Sequence, residues 1–379
     1  SAPADRIGVI AGDLQDAESM KAALDLFSSL GVTSLDCRQD GAALGDGPRE
    51  SWLFNSTLAG IENADVVLIV GANPRLDAPV LNQRLRKQWV AGKMRLGVVG
   101  EALDLTYDYD RVGEGASDLS KLSGAFADAF KAAERPAIIV GAAALNDAGT
   151  LAAVAKLADD YGVIRDGWNG WNVLHTAAAR VGGLDLGFTP KAGGKSAAEL
   201  VAKGGADVLF LLGADEIDLS ETDAFVVYLG THGDTGAHKA DVVLPGAAYT
   251  EKDGLYVNTE GRVQMGARAV FPKGEAREDW AILRALSERL GATLPYDTLS
   301  ALRARLFADH PTFGQIDFAP GSVVGKPNLS KLGGKAKPAK GPFAPAKRAF
   351  HLTNPIARAS VTMAECASLA AGQQKQAAE

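Results

Sequence analysis

The sequence predicts an α/β protein of two Rossmann-like halves, each on a parallel sheet, followed by an extended C-terminal tail. Three observations carry this. Short apolar runs that end in glycine alternate with stretches of helical period. Residues 64–71 (ADVVLIVG) and 206–213 (ADVLFLLG) each run apolar without a break after their aspartate, as strands covered on both faces require. These two runs also echo one another, each continuing into alanine, so each opens a loop at a strand's C-terminal end, where open α/β sheets bind ligands.

Taken in order, residues 6–12 read as a strand. Residues 13–30 read as a helix from the spacing of Met20, Ala23, Leu24, Phe27 and Leu30, with Gly31 as its cap. Residues 33–37 form the next strand and 57–62 a short helix. Strand 64–71 leads through Gly71-Ala72-Asn73-Pro74-Arg75 into a helix over 78–91. Strands at 95–99 and 136–141 follow, then a helix over 148–160. A strand starts at Val163, a turn covers 167–170, and 173–181 is read as helical. Strands 206–213 and 224–230 precede a motif at 240–266: an apolar run stopped by Pro245-Gly246, a charged loop, and a hairpin that turns at Thr259-Glu260-Gly261. Residues 278–290 are an amphipathic helix. The expected division is 1–135, 136–317 and a basic Gly/Pro/Lys-rich linker and docking tail at 318–379.

Composition narrows the function. The 379 residues exceed what one core usually holds, and 43 glycines suit an α/β chain rich in tight turns. A net charge of −7 argues against a nucleic-acid partner. The charge is uneven: residues 318–364 hold no Asp or Glu and carry +8, which leaves the body at −15. Such a tail wraps its own surface, or a neighbour's, or stays solvated. No apolar run reaches the roughly 18–20 residues that span a bilayer, so no membrane insertion is expected. The absence of an initial Met and the strand entered at once suggest a piece of a longer protein.

Only Cys37 and Cys366 are present, too few for an iron–sulfur cluster, which takes about four thiolates. Gly193-Gly194-Lys195-Ser196 looks like the end of a phosphate loop, but Thr189 stands where its first glycine belongs. No GxGxxG follows a strand. His232 and His238, with Asp241 nearby, lack a third soft ligand at short spacing, and His175 is expected to pack or hydrogen-bond.

Residues 240–264, ADVVLPGAAYTEKDGLYVNTEGRVQ, strongly resemble a motif of the molybdopterin oxidoreductase (formate dehydrogenase-like) superfamily. In particular they resemble the large iron–sulfur subunit family of respiratory NADH:quinone oxidoreductase (complex I). Residues 36–43, 166–170, 181–187, 231–236 and 354–365 are similar to that subunit too. The resemblance implies that Gly71, Asn73 and Pro74 keep a loop that holds a pterin dinucleotide in molybdenum enzymes, with Glu251 and Glu260 beside it. In those enzymes a segment like Thr33-Ser34-Leu35-Asp36-Cys37-Arg38 leads to the metal ligand. Here Gln39-Asp40-Gly41-Ala42 follow and offer no thiolate, while Cys37 lies before the expected place. The implied role is therefore a non-catalytic docking domain with neither molybdenum nor metal. Its parent subunit would carry 2Fe-2S and 4Fe-4S clusters on an amino-terminal part missing here, and its partners would be peripheral-arm subunits. It would lie peripherally, on the cytoplasmic face of a bacterial inner membrane or the matrix side of the mitochondrial one. The alternative is a working molybdopterin oxidoreductase of the formate dehydrogenase kind, in which Cys37 ligates the metal. Among other exposed residues, Arg75, Asp253 and Arg262 are candidates for contacts across the site or to a partner.

Overall fold

A computed structural model describes residues 2–120, 122–232, 235–318, 328–344 and 350–378. In chain order the elements are β1 (Ile7–Ala11), α1 (Ala17–Ser29), β2 (Ser34–Asp36), β3 (Val66–Val70), α2 (Pro74–Asp77), α3 (Pro79–Val90), β4 (Arg95–Val99), β5 (Asp110–Gly113), α4 (Gly124–Ala132) and β6 (Pro136–Val140). Then come α5 (Ala142–Leu145), α6 (Ala148–Asp160), β7 (Ile164–Arg165), β8 (Trp168–Asn169), β9 (Trp171–Val173), α7 (Arg180–Leu186), α8 (Ala197–Val201), β10 (Val208–Leu212), β11 (Phe225–Gly230) and α9 (Thr235–Lys239). The chain ends with β12 (Val242–Pro245), β13 (Gly254–Val257), β14 (Val263–Gly266), α10 (Asp279–Arg289), α11 (Leu299–Asp309), α12 (Pro355–Arg358) and α13 (Val361–Ala378).

Local chemistry sets the helix starts: α6 begins at Ala148 as expected, while α1 begins at Ala17, four residues after the expected start at 13. Asp16 caps α1 by accepting the Ser19 N–H at 2.8 Å, and Asp147 caps α6 through Thr150 N–H at 2.7 Å. The phosphate-loop look-alike is a helix start as well. Ser196 and Glu199 form a reciprocal capping box on α8, and Lys195 Nζ donates to the Gly205 carbonyl.

Ten strands build two parallel five-stranded sheets, in the orders β12-β11-β10-β1-β2 and β5-β4-β3-β6-β9. The second sheet lies wholly between β2 and β10 in the chain. This corrects the expected boundary at residue 135: β6 pairs with β3 over Val66↔Pro136 to Val70↔Val140, so the cut would split one sheet. Alternation of strand and helix reveals which strands exist but not which ones pair. The sequence echo is nonetheless a structural one. β3 and β10 hold the same place, each followed outward by two successive strands and flanked inward by β6-β9 or β1-β2.

Paired glycines close both sheets at their centre. Gly71 and Gly213 end β3 and β10 with φ of 63° and 61°. Gly141 and Gly12 end the adjacent strands. A Cβ on Gly12 would lie 2.0 Å from the Gly213 carbonyl oxygen, and one on Gly141 would lie 2.6 Å from that of Gly71.

One local expectation is corrected. Residues 173–181 are not one helix. β9 extends the sheet, with Trp171 and Val173 fully buried and Trp171 Nε1 donating to the Ser51 carbonyl at 3.1 Å, and α7 begins only at Arg180. A three-residue strand with a polar centre, Trp-Asn-Val, leaves too little periodicity to read. β12 is an exposed edge strand.

The described part of the tail wraps its own body. Leu329 and Leu332 are buried against α6, Ala339 N–H donates to Asp147 Oδ2 at 3.0 Å, and Phe343 N–H donates to the Glu114 carbonyl at 2.9 Å. Of the basic residues assigned to the linker, Lys326, Lys347 and Arg348 lie outside the described residues. Because backbone faces Gly12 at 2.0 Å, Gly12→Ala should cost about 1–3 kcal/mol of stability, measured by urea unfolding.

Candidate functional site

The sheet containing β1 presents the C-terminal ends of β1, β10 and β11 to one mouth, on either side of the point where chain direction across the sheet reverses. Asp13, Gly213, Asp215 and Thr231 come to this mouth from the strand ends, and Ala248, Tyr249 and Lys252 come from the 240–266 motif. The chain's own tail closes it. Pro355, Ile356 and Arg358 line the same cavity, of which only ≈ 70 Å³ remains. Asn354 caps α12 by accepting the Ile356 and Ala357 N–H groups. That cap aims Arg358 at two carboxylates: Nη2 lies 2.6 Å from Asp215 and Nη1 lies 3.0 Å from Glu216. Burial pushes the neighbouring Asp13 carboxyl up to about 6, against the pull of Arg180.

Behind the mouth lies a buried ion triad. Lys252 Nζ stands 2.6 Å from Asp16 Oδ2 and 3.3 Å from Asp279 Oδ2, all three side chains being buried, and Gln15 Nε2 donates to Asp279 at 2.6 Å. Burial opposes the ammonium, but Asp16 and Asp279 outweigh it and raise its pKa. Burial also opposes the Asp16 charge, which Lys252 and Ser19 restore, so its pKa falls. Two residues on, Glu18 accepts the Leu255 N–H at 2.8 Å and Arg303 Nε at 2.7 Å. Here burial wins, with Asp16 adding, and the Glu18 pKa rises.

The residues marked from sequence do not share this mouth. Gly71, Asn73 and Pro74 sit at the end of β3 in the other sheet. There a Cβ on Gly71 would lie 2.6 Å from Ala144 N, so the glycine serves packing on α5. Asn73 N–H donates to Asp77 Oδ2 at 2.8 Å, and its Oδ1 is buried without a partner among the described residues. Glu251 accepts the Ala248 N–H at 3.0 Å and so closes its own loop. Glu260 reaches across to accept the Leu58 N–H at 2.5 Å, while Asn258 Oδ1 takes the turn's own Glu260 and Arg262 N–H groups. Arg75 is an exposed partner of Asp104. His175 is half-buried on the loop after β9 and donates from Nε2 to the Trp52 carbonyl at 2.7 Å, and burial with Arg180 pushes its pKa down to about 4. Gly233 and Asp234, between the other histidines considered, lie outside the described residues.

Cys37 decides how these residues would suit a molybdenum cofactor. Its sulfur packs beside Gly183 and Met20, where a Cβ on Gly183 would stand 2.7 Å from it. Burial pushes the thiol up to about 12, which Arg180 and Arg38 fail to reverse. Asp40, nearer the expected ligand position, is paired with Arg180 at 2.7 Å. No thiolate is offered, and the mouth is filled by α12. The residues present do not fit that group. Sequence reasoning missed Lys252 and Arg358, although a lysine between two acids in an apolar motif is a signal of internal pairing.

Parallel doubly flanked sheets with a site at their strand ends define the class. Residues 3–289 match the molybdopterin oxidoreductase family, to which the chain belongs. Within it the chain is homologous to the large subunit of NADH-ubiquinone oxidoreductase, and residues 319–366 match a family built on the C-terminal region of an NADH-ubiquinone oxidoreductase subunit. It is 42% identical over 95% of its length to the mitochondrial NADH-ubiquinone oxidoreductase 78 kDa subunit of Neurospora crassa. It is 39% identical over 97% to the mitochondrial NADH dehydrogenase [ubiquinone] iron-sulfur protein 1 of Solanum tuberosum. The 78 kDa subunit of Candida albicans is 42% identical over 95%. The chain spans about half the length of these curated relatives, 50%, 50% and 51%.

Solved structures agree on the fold. A chain of the formyltransferase/hydrolase complex from Methylorubrum extorquens superimposes with a TM-score of 0.56 at 17% identity, over 75% of this chain and 91% of that one. Acetylene hydratase from Pelobacter acetylenicus gives 0.53 at 12%, over 77% and 56%.

Lys252→Met leaves two buried carboxylates facing one another and should cost roughly 3–5 kcal/mol in urea unfolding. Pairing at the mouth should protect the Arg358–Ala359 bond. Asp215→Asn with Glu216→Gln should therefore speed tryptic cleavage there several-fold, followed by mass spectrometry, with cleavage at the exposed Lys335 unchanged.

Proposed function

We propose that this chain is a non-catalytic structural and docking domain of the peripheral arm of an NADH:quinone oxidoreductase. Its whole subunit would pass electrons from NADH towards quinone through 2Fe-2S and 4Fe-4S clusters ligated outside these residues, in a complex that translocates protons. The observation that carries this is the placement of Cys37. Where a like segment leads to a metal ligand in molybdenum members of this family, this chain buries its nearest thiol. The tail supports the same reading, since it spends Arg358 on the mouth rather than leaving it open. The relatives' names supply the assembly and the iron–sulfur character. Partners are then other peripheral-arm subunits. Among the described residues no helix is long and apolar enough to cross a membrane; a peripheral place on the cytoplasmic or matrix side belongs to the same proposal. The retained loop at Gly71, Asn73 and Pro74 and the loop residues Glu251 and Glu260 are, on this reading, kept for shape.

Metal analysis of the full-length subunit tests it, with thiol titration alongside. Molybdenum and tungsten should be far below stoichiometric. Cys366 should react with a disulfide reagent at pH 8, while Cys37 should react only on unfolding. Stoichiometric molybdenum or tungsten that is lost in Cys37→Ala would overturn the reading.

A further inference from the structure

The motif at 240–266 leads into an arm whose exposure the fold does not account for. Residues 264–271 are exposed without a break. They are nonetheless fixed: Ala269 and Val270 N–H both donate to the Thr250 carbonyl, at 2.9 and 3.1 Å, and Arg268 N–H donates to Asp253 Oδ1 at 2.9 Å. The backbone is thus anchored to the loop that carries Lys252, and the side chains are turned outward. Met265 is 50% exposed, Val270 55% and Phe271 76%. The Arg268 guanidinium lies over the Phe271 ring, 4.6 Å from its centroid.

Anchored backbone with projecting apolar side chains is the anatomy of a contact surface, because large apolar groups grouped in water mark interaction sites. The charge around them is specific. Over residues 264–277, Arg268, Lys273 and Arg277 stand against Glu275 alone, a net +2 on a chain of −7. An aromatic anchor beside arginine within a basic rim is complementary to an acidic rim around an apolar pocket.

We propose that this arm docks on a separate protein subunit, inserting Phe271 into an apolar pocket rimmed by Asp and Glu. The inference rests on the docking role above and adds to it the contact segment and the chemistry of the partner surface.

The test uses the full chain in its assembled complex, with p-benzoylphenylalanine replacing Phe271. Irradiation should join it to an acidic segment of another polypeptide, identified by mass spectrometry. Yield should fall several-fold between ~50 mM and ~500 mM salt. Arg268→Glu with Lys273→Glu should lower it about tenfold, and Phe271→Ala should weaken the same contact when probed from Ala267, without altering thermal stability. Crosslinks confined to the same polypeptide, to lipid, or to a neutral or basic segment, or no crosslink at all, would overturn the proposal while the chain remained in the complex. A chain that never co-purifies with other subunits would instead overturn the docking role itself.

Discussion

Lys252 carries its charge into the interior, and three distant parts of the chain converge on it. Asp16 comes from the N-cap of α1, Asp279 from the start of α10, and the lysine itself from the loop before the hairpin. Two carboxylates at helix starts are favourably placed, since helix N-termini attract negative charge. Each would be costly to bury alone, and the shared ammonium makes their burial possible. Glu18 repeats the device two residues along, with the Leu255 N–H and Arg303 as its partners. The hairpin is thereby held on α1 by charge and hydrogen bonds as well as by packing, and the loop on which the 264–271 arm rests inherits that rigidity.

The mouth at the strand ends depends on the same fastening. Lys252 and Asp279 form part of its wall, and the tail residue Arg358 forms its cover. An acidic body with a basic tail, visible as a charge imbalance, resolves into particular pairs: Arg358 with Asp215 and Glu216. The crevice where such sheets in general bind a ligand is here taken up by an internal contact between the loop after β10 and the tail.

Much of this was legible. Strand β4 and helix α6 lie where the apolar spacing puts them, and the glycine echo marks the central strand of each sheet. β9 was not legible, because three residues with a buried asparagine at the centre carry no periodic signal. Sheet membership was not legible either, since pairing across the chain leaves no local trace. At the site, the sequence pointed to Glu251 and Glu260, whose carboxylates turn out to satisfy backbone N–H groups of Ala248 and Leu58. It passed over the lysine beside them because charge inside a core is recognised only when its partners are known, and those partners are 236 and 27 residues away, at Asp16 and Asp279.

The nesting of one sheet inside the other has a kinetic consequence. β1 must wait for β10, its partner from Ile7↔Val208 onward, while the whole of the second sheet is synthesised between them. Closing so long a loop from a disordered chain is slow, but the intervening unit draws its own ends together once it has formed. Prior formation of the inserted sheet would bring β10 to β1, so damage to its core is expected to be felt as delayed maturation of the outer sheet.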